Sequence, residues 1–137
     1  MSYHNKIALD APFDSVVDAL TDTLGEEGFG VLADIDIQDI FAEKLDVQRD
    51  EYRIFGACNP PLANQGIEAE IDLGTLLPCN VVVYAEDGDV IVSAADPTEL
   101  IDLTGNPELD EIATEIGERL DRVLEELESE FPAGSNA

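Results

Sequence analysis

The chain has 137 residues, of which 32 are Asp or Glu and six are Lys or Arg, so its formal net charge is −26. This is the length of one ordinary domain, and no apolar run approaches the ~20 residues of a membrane helix. Nucleic acid is excluded as an expected partner, because phosphate binding needs a basic surface.

The acidic residues are spread along the whole chain. At low salt their repulsion destabilises a folded protein, whereas at about 1 M salt the Debye length is roughly 3 Å and the repulsion is largely screened. The composition therefore indicates a halophilic protein that works in concentrated salt. The alternative is an acidic protein that binds cations or basic partners, but such a protein would keep ordinary lysines elsewhere, and this chain has only Lys6 and Lys44.

The first residues do not have the form of a secretory signal. The segment "MSYHNKIALDAPF" has no charged head followed by an apolar stretch and a small-residue cleavage site. We therefore expect a cytoplasmic protein with no membrane contact.

The first half of the chain predicts alternating strands and helices. A strand over 3–9 precedes a helix that starts near Pro12 and ends at Gly28. A second strand over 29–37 leads into a short helix with Asp36 as its N-cap. The first helix has an apolar face of Phe13, Val16, Val17, Leu20 and Leu24. The short helix has Ile37, Ile40, Phe41, Lys44 and Leu45 along one side.

The middle of the chain predicts a strand, a helix and a hairpin. The strand covers 51–59, and the helix over 60–72 opens with two prolines and has Asn59 as its N-cap. The hairpin over 76–96 has β-branched arms, and the "EDGD" segment between them carries an Asp-Gly turn signal.

The last part of the chain predicts a short helix over 97–105 and a long helix over 106–130. The apolar stripe of the long helix consists of Leu109, Ile112, Ile116, Leu120, Val123, Leu124 and Leu127. The order β-α-β-α-β-α-β-β-α-α and its closing hairpin predict an α+β fold, with helices packed on a mixed or antiparallel sheet. We expect one domain over 1–130 and a flexible tail over 131–137.

The strands "VVVY" and "VIV" are apolar on both of their faces. Helices must cover both faces of the sheet, or a second subunit must cover one of them. We expect a homodimer.

The two cysteines of the chain have similar settings. Cys58 ends the third strand next to the expected N-cap Asn59, and Cys79 follows Pro78 at the start of the next strand. If these strands are neighbours, the sulfurs lie close together at one rim of the sheet. The positive end of the helix would then lower the pKa of Cys58.

Three interpretations of this cysteine pair stay open. The thiols can form part of a small-ligand or soft-metal site, although two thiolates are an incomplete zinc set unless a dimer supplies four. They can act in redox or sulfur-transfer chemistry. They can also be inert, as most buried cysteines are.

Other candidate residues are few. Arg53 and Arg49 can hold an anionic ligand or pair with acids, while His4, the only histidine, is expected on the surface or a strand edge. The tyrosines Tyr52 and Tyr84 are expected to pack in the core. No catalytic triad or nucleotide-binding motif is present, so the sequence predicts neither a reaction nor a cofactor.

The runs "YRIFGACNPP" and "LLPCNVVVY" resemble the family called domain of unknown function 302, and the similarity extends from "EEGFGVLADIDI" through the last helix. The resemblance implies a small α+β domain, often a dimer, with no established activity. It places the site residues in a cysteine-bearing branch, namely Cys58, Asn59, Pro60, Pro78 and Cys79. The predicted function is a small-ligand or metal-binding module at the Cys58/Cys79 rim, with Arg53 and Asn59 nearby.

Overall fold

The computed structural model describes residues 2–132 and has the α+β architecture that the sequence predicts. The strands are β1 (His4–Leu9), β2 (Gly30–Asp36), β3 (Tyr52–Cys58), β4 (Cys79–Glu86) and β5 (Asp89–Ala95). The helices are α1 (Phe13–Glu26), α2 (Ile37–Leu45), α3 (Pro60–Ala69), α4 (Pro97–Asp102) and α5 (Asp110–Glu130), with short 3₁₀ segments at Ile71–Leu76 and Pro107–Leu109. Residues 133–137 of the predicted tail lie outside the described residues.

The five strands form one antiparallel sheet in the order β1-β5-β4-β3-β2. β1 and β2 are therefore the two edge strands. The hairpin from β4 to β5 turns at Asp87 and Gly88, which both have positive φ (52° and 86°), as an Asp-Gly turn requires.

Helices α1 and α5 pack against one face of the sheet and bury its apolar side chains. Leu20 and Leu24 of α1 and Leu120 and Val123 of α5 belong to the same core as Val81 of β4. The predicted apolar faces of both helices are thus the faces that are buried. The other face of the sheet, which we call the open face, is not covered by these helices.

Helix α2 forms over the predicted segment, but its apolar side does not join the buried core. None of its side chains is buried, and Ile40 and Leu45 are 37% and 61% exposed. Its N-cap is as predicted, since the Asp36 side chain accepts a hydrogen bond from the Asp39 backbone N–H. The helix packs beside β3, where Ile37 and Phe41 are half-buried, while Ile40 and Leu45 stay exposed.

Gly56 allows close packing at the rim of β3. A Cβ at this position would lie 2.8 Å from Cγ of Pro78, the residue before Cys79. The absence of a side chain therefore lets the Pro78 ring rest on the strand. Within residues 2–132, no helix combines the length and the apolar character needed to cross a membrane.

Candidate functional site

The two cysteines lie on neighbouring strands at the same end of the sheet. Cys79 pairs in register with Ala57, the residue before Cys58. Because successive residues of a strand point to opposite faces, Cys79 faces the helices and Cys58 faces the open side. The thiols are close along the backbone, but the sheet separates them.

Burial controls the acidity of both thiols. Cys79 is only 7% exposed, and burial, with a smaller contribution from the charge of Cys58, raises its pKa from 9.0 to about 11. Burial also raises the pKa of the partly exposed Cys58. The expected lowering of the Cys58 pKa by helix α3 was therefore wrong, because loss of solvation determines the direction of the shift. Both cysteines are free thiols.

Asn59 and Arg53 have structural contacts of their own. The Asn59 side chain is 7% exposed and accepts a hydrogen bond from the Leu62 backbone N–H at 3.2 Å, so it caps helix α3 as predicted. Arg53 forms an ion pair with Asp34, which raises the pKa of the guanidinium, and it lies 5.2 Å from the centre of the Phe55 ring. The four predicted site residues therefore do not converge on one cavity.

A groove of about 1120 Å³ runs across the open face of the sheet. We call it the sheet groove. Val82 of β4 and Ser93 of β5 lie side by side along its floor, and Lys6 of β1 continues the same row of paired residues. The chain segment from Val47 to Tyr52 forms its other wall.

This wall of the sheet groove is aromatic. The Tyr52 and Tyr84 rings are stacked with their centres 5.6 Å apart, and the Arg49 guanidinium lies 5.1 Å from the centre of the Tyr52 ring. Tyr3 also lines the groove, so all three tyrosines of the chain lie there, and the chain has no tryptophan. Tyr52 and Tyr84 thus line a cavity, whereas the sequence predicted that they pack in the core.

The opposite wall is polar and belongs to the edge strand β1. Nδ1 of His4 lies 3.2 Å from Oγ of Ser93, within hydrogen-bond distance, and Lys6 pairs in register with Ser93. His4 is on a strand edge, as expected, but it also lines the groove. Ionisable and aromatic side chains therefore face each other across a floor that is apolar at Val82 and polar at Ser93.

A second cavity, of about 230 Å³, lies at the end of the sheet groove beside Cys79. We call it the Cys79 cavity. Most of its lining is apolar and comes from Leu77, Pro78, Leu100 and Ile101. Asn80, Ala95 and Leu100 line both cavities, so the two are adjacent. The sequence pointed to Cys79 but missed the adjacent groove on the open face.

No grouping of three or more His, Cys, Asp or Glu side chains that could hold a metal ion occurs in the part of the chain described by the structure. Two thiols on opposite faces of the sheet do not make a chelating pair within one chain. A soft-metal site at these cysteines would need ligands from a second chain.

Comparison with known proteins supports the family resemblance. The model of "Domain of unknown function DUF302" matches residues 5–127. A crystal structure of an uncharacterized conserved DUF302 protein from Bacillus stearothermophilus is 30% identical, with a TM-score of 0.86 over 91% of this chain and 98% of the other. No match to a protein of curated function was found. The family match and the shared fold together show that this chain belongs to the DUF302 family.

Proposed function

We propose that this protein is a small-ligand-binding module whose ligand lies in the sheet groove and extends towards Cys79. The proposal rests on one observation. The sheet groove and the Cys79 cavity are adjacent, because Asn80, Ala95 and Leu100 line both. Ligand sites are typically concave and largely apolar, with a few polar groups that fix orientation. The sheet groove is concave, with apolar surface at Val82 and its aromatic wall and polar groups at its β1 wall, and its lining is more polar than that of a typical site.

The cysteines fit this proposal better than they fit thiolate chemistry. The thiolate is the nucleophile and the metal ligand, and burial raises the pKa of both thiols. A neutral Cys79 thiol offers a ligand a small apolar surface and a weak hydrogen-bond donor. Redox, sulfur-transfer and metal-binding roles remain the alternatives, and thiol reactivity tests them.

Binding can be followed with the neutral dye N-phenyl-1-naphthylamine, whose emission rises in apolar surroundings. Since all three tyrosines line the sheet groove and tryptophan is absent, excitation of tyrosine reports on dye bound to the protein, and most strongly on dye close to the groove. We expect saturable binding with emission sensitised by energy transfer from tyrosine. Dye that binds without sensitised emission, or no binding at all, contradicts the proposal.

Matched variants locate the dye. Ser93→Phe places a ring on the groove floor, and we expect it to weaken dye binding about tenfold or more through steric exclusion, the equivalent of ~1.4 kcal/mol. Ser15→Phe makes the same change on the exposed side of α1 and should leave the affinity unchanged. Equal affinities for both variants would place the dye outside the groove.

We further propose that the protein works in concentrated salt inside the cytoplasm. The 32 acidic residues against six basic ones support the first part, because high ionic strength screens their repulsion. The two free thiols support the second part, because the cytosol keeps cysteines reduced.

We also propose that the protein is a homodimer. The support is a set of exposed apolar side chains on β2, on α2 and just after α2, which we call the edge patch: Ile35, Ile40, Leu45 and Val47, between 37% and 61% exposed. An edge strand with an apolar flank is a natural surface for self-association. Screening by salt would allow two acidic chains to approach each other.

Sedimentation equilibrium tests the dimer. In concentrated salt we expect about twice the chain mass of 14.8 kDa. Ile40→Asn in the edge patch should weaken dimerisation on the order of tenfold, because it places an amide in an apolar contact. The control Ile71→Asn, at a position that is 77% exposed outside the patch, should sediment as wild type does. A wild-type protein that is monomeric at every concentration would refute the proposal.

A further inference from the structure

The basic side chains of this protein fall into two groups. Three of the six Lys and Arg residues have carboxylate partners, in the pairs Arg53–Asp34, Arg119–Glu115 and Arg122–Glu27. Among residues 2–132, Lys6, Lys44 and Arg49 have no carboxylate oxygen within 4.0 Å. Two of these three, Lys6 and Arg49, line the sheet groove. With 32 acids in the chain, two cations without carboxylate partners on one cavity indicate a place for an external anion.

The surroundings of Lys6 are suited to binding an anion. Lys6 pairs in register with Ser93, whose hydroxyl can donate a hydrogen bond to an anionic oxygen when Nδ1 of His4 carries a hydrogen and donates to Oγ of Ser93. His4 lies next along the same face of β1 and contacts Ser93. An ammonium and a hydroxyl thus meet at the polar wall of the groove.

The charges along the groove also favour one orientation of an anionic ligand. The acidic side chains that line it, Asp50, Glu51, Glu86 and Asp87, belong to its hairpin end and to the segment before β3. Lys6 lies farther from the hairpin turn than Tyr84 does. It pairs with Ser93, and Ser93 pairs with Val82, which is two residues farther from the turn than Tyr84. An anionic group would be repelled from the hairpin end and attracted to the Lys6 end.

An apolar surface lies within reach of that position. Val82 is two strands away from Lys6, or about 10 Å at the usual strand spacing, and Tyr84 is about 7 Å farther along β4. A ligand with one anionic group and one ring system is long enough to contact Lys6 and the aromatic wall together.

We propose that the sheet groove binds a small organic anion, with its anionic group at Lys6 and Ser93 and its apolar part over Val82 and Tyr84. This inference rests on the proposed function, since it specifies the ligand class of the same groove. Arg49 lies on the aromatic wall, where its guanidinium stacks on Tyr52, and it offsets part of the repulsion from the two acidic residues that follow it in the chain.

Two dyes that differ by one anionic group test the inference. 8-Anilinonaphthalene-1-sulfonate has the skeleton of N-phenyl-1-naphthylamine plus a sulfonate. We expect the wild-type protein to bind the sulfonate about tenfold more tightly, as one charge-assisted contact in a partly exposed site would give. Both titrations are done at a salt concentration at which circular dichroism shows a folded protein.

Lysine variants assign the anion contact. Lys6→Met should weaken sulfonate binding about fivefold to tenfold and change binding of the neutral dye less than twofold. Lys44→Met is the matched control, because it makes the same change in net charge at another lysine without an ion pair, and Lys44 does not line the groove. It should leave both affinities unchanged.

The outcomes distinguish this inference from the proposed function. If both dyes bind equally well, or if Lys6→Met and Lys44→Met have equal effects on the sulfonate, the anion preference is overturned while the groove remains a ligand site. If neither dye binds, both proposals fail. If Lys6→Met causes aggregation but binds the sulfonate as wild type does, Lys6 is a protective charge on an edge strand, and the inference is overturned.

Discussion

Removal of salt is expected to unfold this protein, and return of salt is expected to refold it. The chain carries a net charge of −26, and without screening the repulsion between its carboxylates opposes the compact state. Asp121 is one carboxyl group in such surroundings: burial, and to a smaller extent the charges of Asp96, Glu125 and Glu118, raise its pKa. The helical circular dichroism signal, recorded at falling KCl concentration, should therefore decrease cooperatively and recover when KCl is restored.

Two controls identify repulsion as the cause. KCl and NaCl at equal ionic strength should give the same midpoint, because screening depends on ionic strength. The double variant Glu118→Gln and Glu125→Gln removes two of the charges that face Asp121, so its midpoint should move to lower salt. A helical signal that persists unchanged in dilute buffer would contradict both the prediction and the proposal of a halophilic protein.

The two thiols are expected to differ by orders of magnitude in their reactivity. With a pKa of about 11, Cys79 at neutral pH is ionised to on the order of one part in 10⁴, and only the thiolate attacks an alkylating reagent. Iodoacetamide should therefore modify the partly exposed Cys58 first and leave Cys79 unmodified in the folded protein. Mass spectrometry of peptides sampled over time measures both rates.

Denaturation and pH provide the controls for the thiol experiment. The variants Cys58→Ser and Cys79→Ser assign each rate, and in denaturant the two thiols should react equally fast. The folded-state pKa of Cys79 is raised above its ordinary value of 9.0, so its neutral form contributes stability below pH 9, and this contribution is lost as the pH rises from 9 to about 11. Rapid alkylation of Cys79 at neutral pH would instead favour redox or sulfur-transfer chemistry.

Most of the architecture could be predicted because its signals are local. The N-caps Asp36 and Asn59 and the turn at Asp87 and Gly88 depend on residues within one turn of the chain, and all of them are present. The apolar residues of α1 and α5 repeat with the helical period, so the buried side of each helix could be predicted from the sequence. Helix α2 has a comparable apolar side, but none of its side chains is buried, so an apolar helical pattern does not by itself establish burial.

The candidate site could be predicted only in part. Cys79 lines a cavity, but Arg53 and Asn59 form contacts within the fold, and Cys58 lies on the other face of the sheet from Cys79. Lys6 and Tyr84 are far apart in sequence, and their shared groove follows from the pairing of β1 with β5 and of β5 with β4. No local pattern encodes such a pairing.

The amino-acid sequence by itself determined the α+β class, the element order, the helix caps and the extreme acidity, because each depends on composition or on residues close together along the chain. Only the tertiary structure decided that the tyrosines line a groove, that two cations without carboxylate partners line the same groove, and that the two thiols face opposite sides of the sheet. These features depend on strand order and register, and a shift of one residue in register would move every side chain of a strand to the other face.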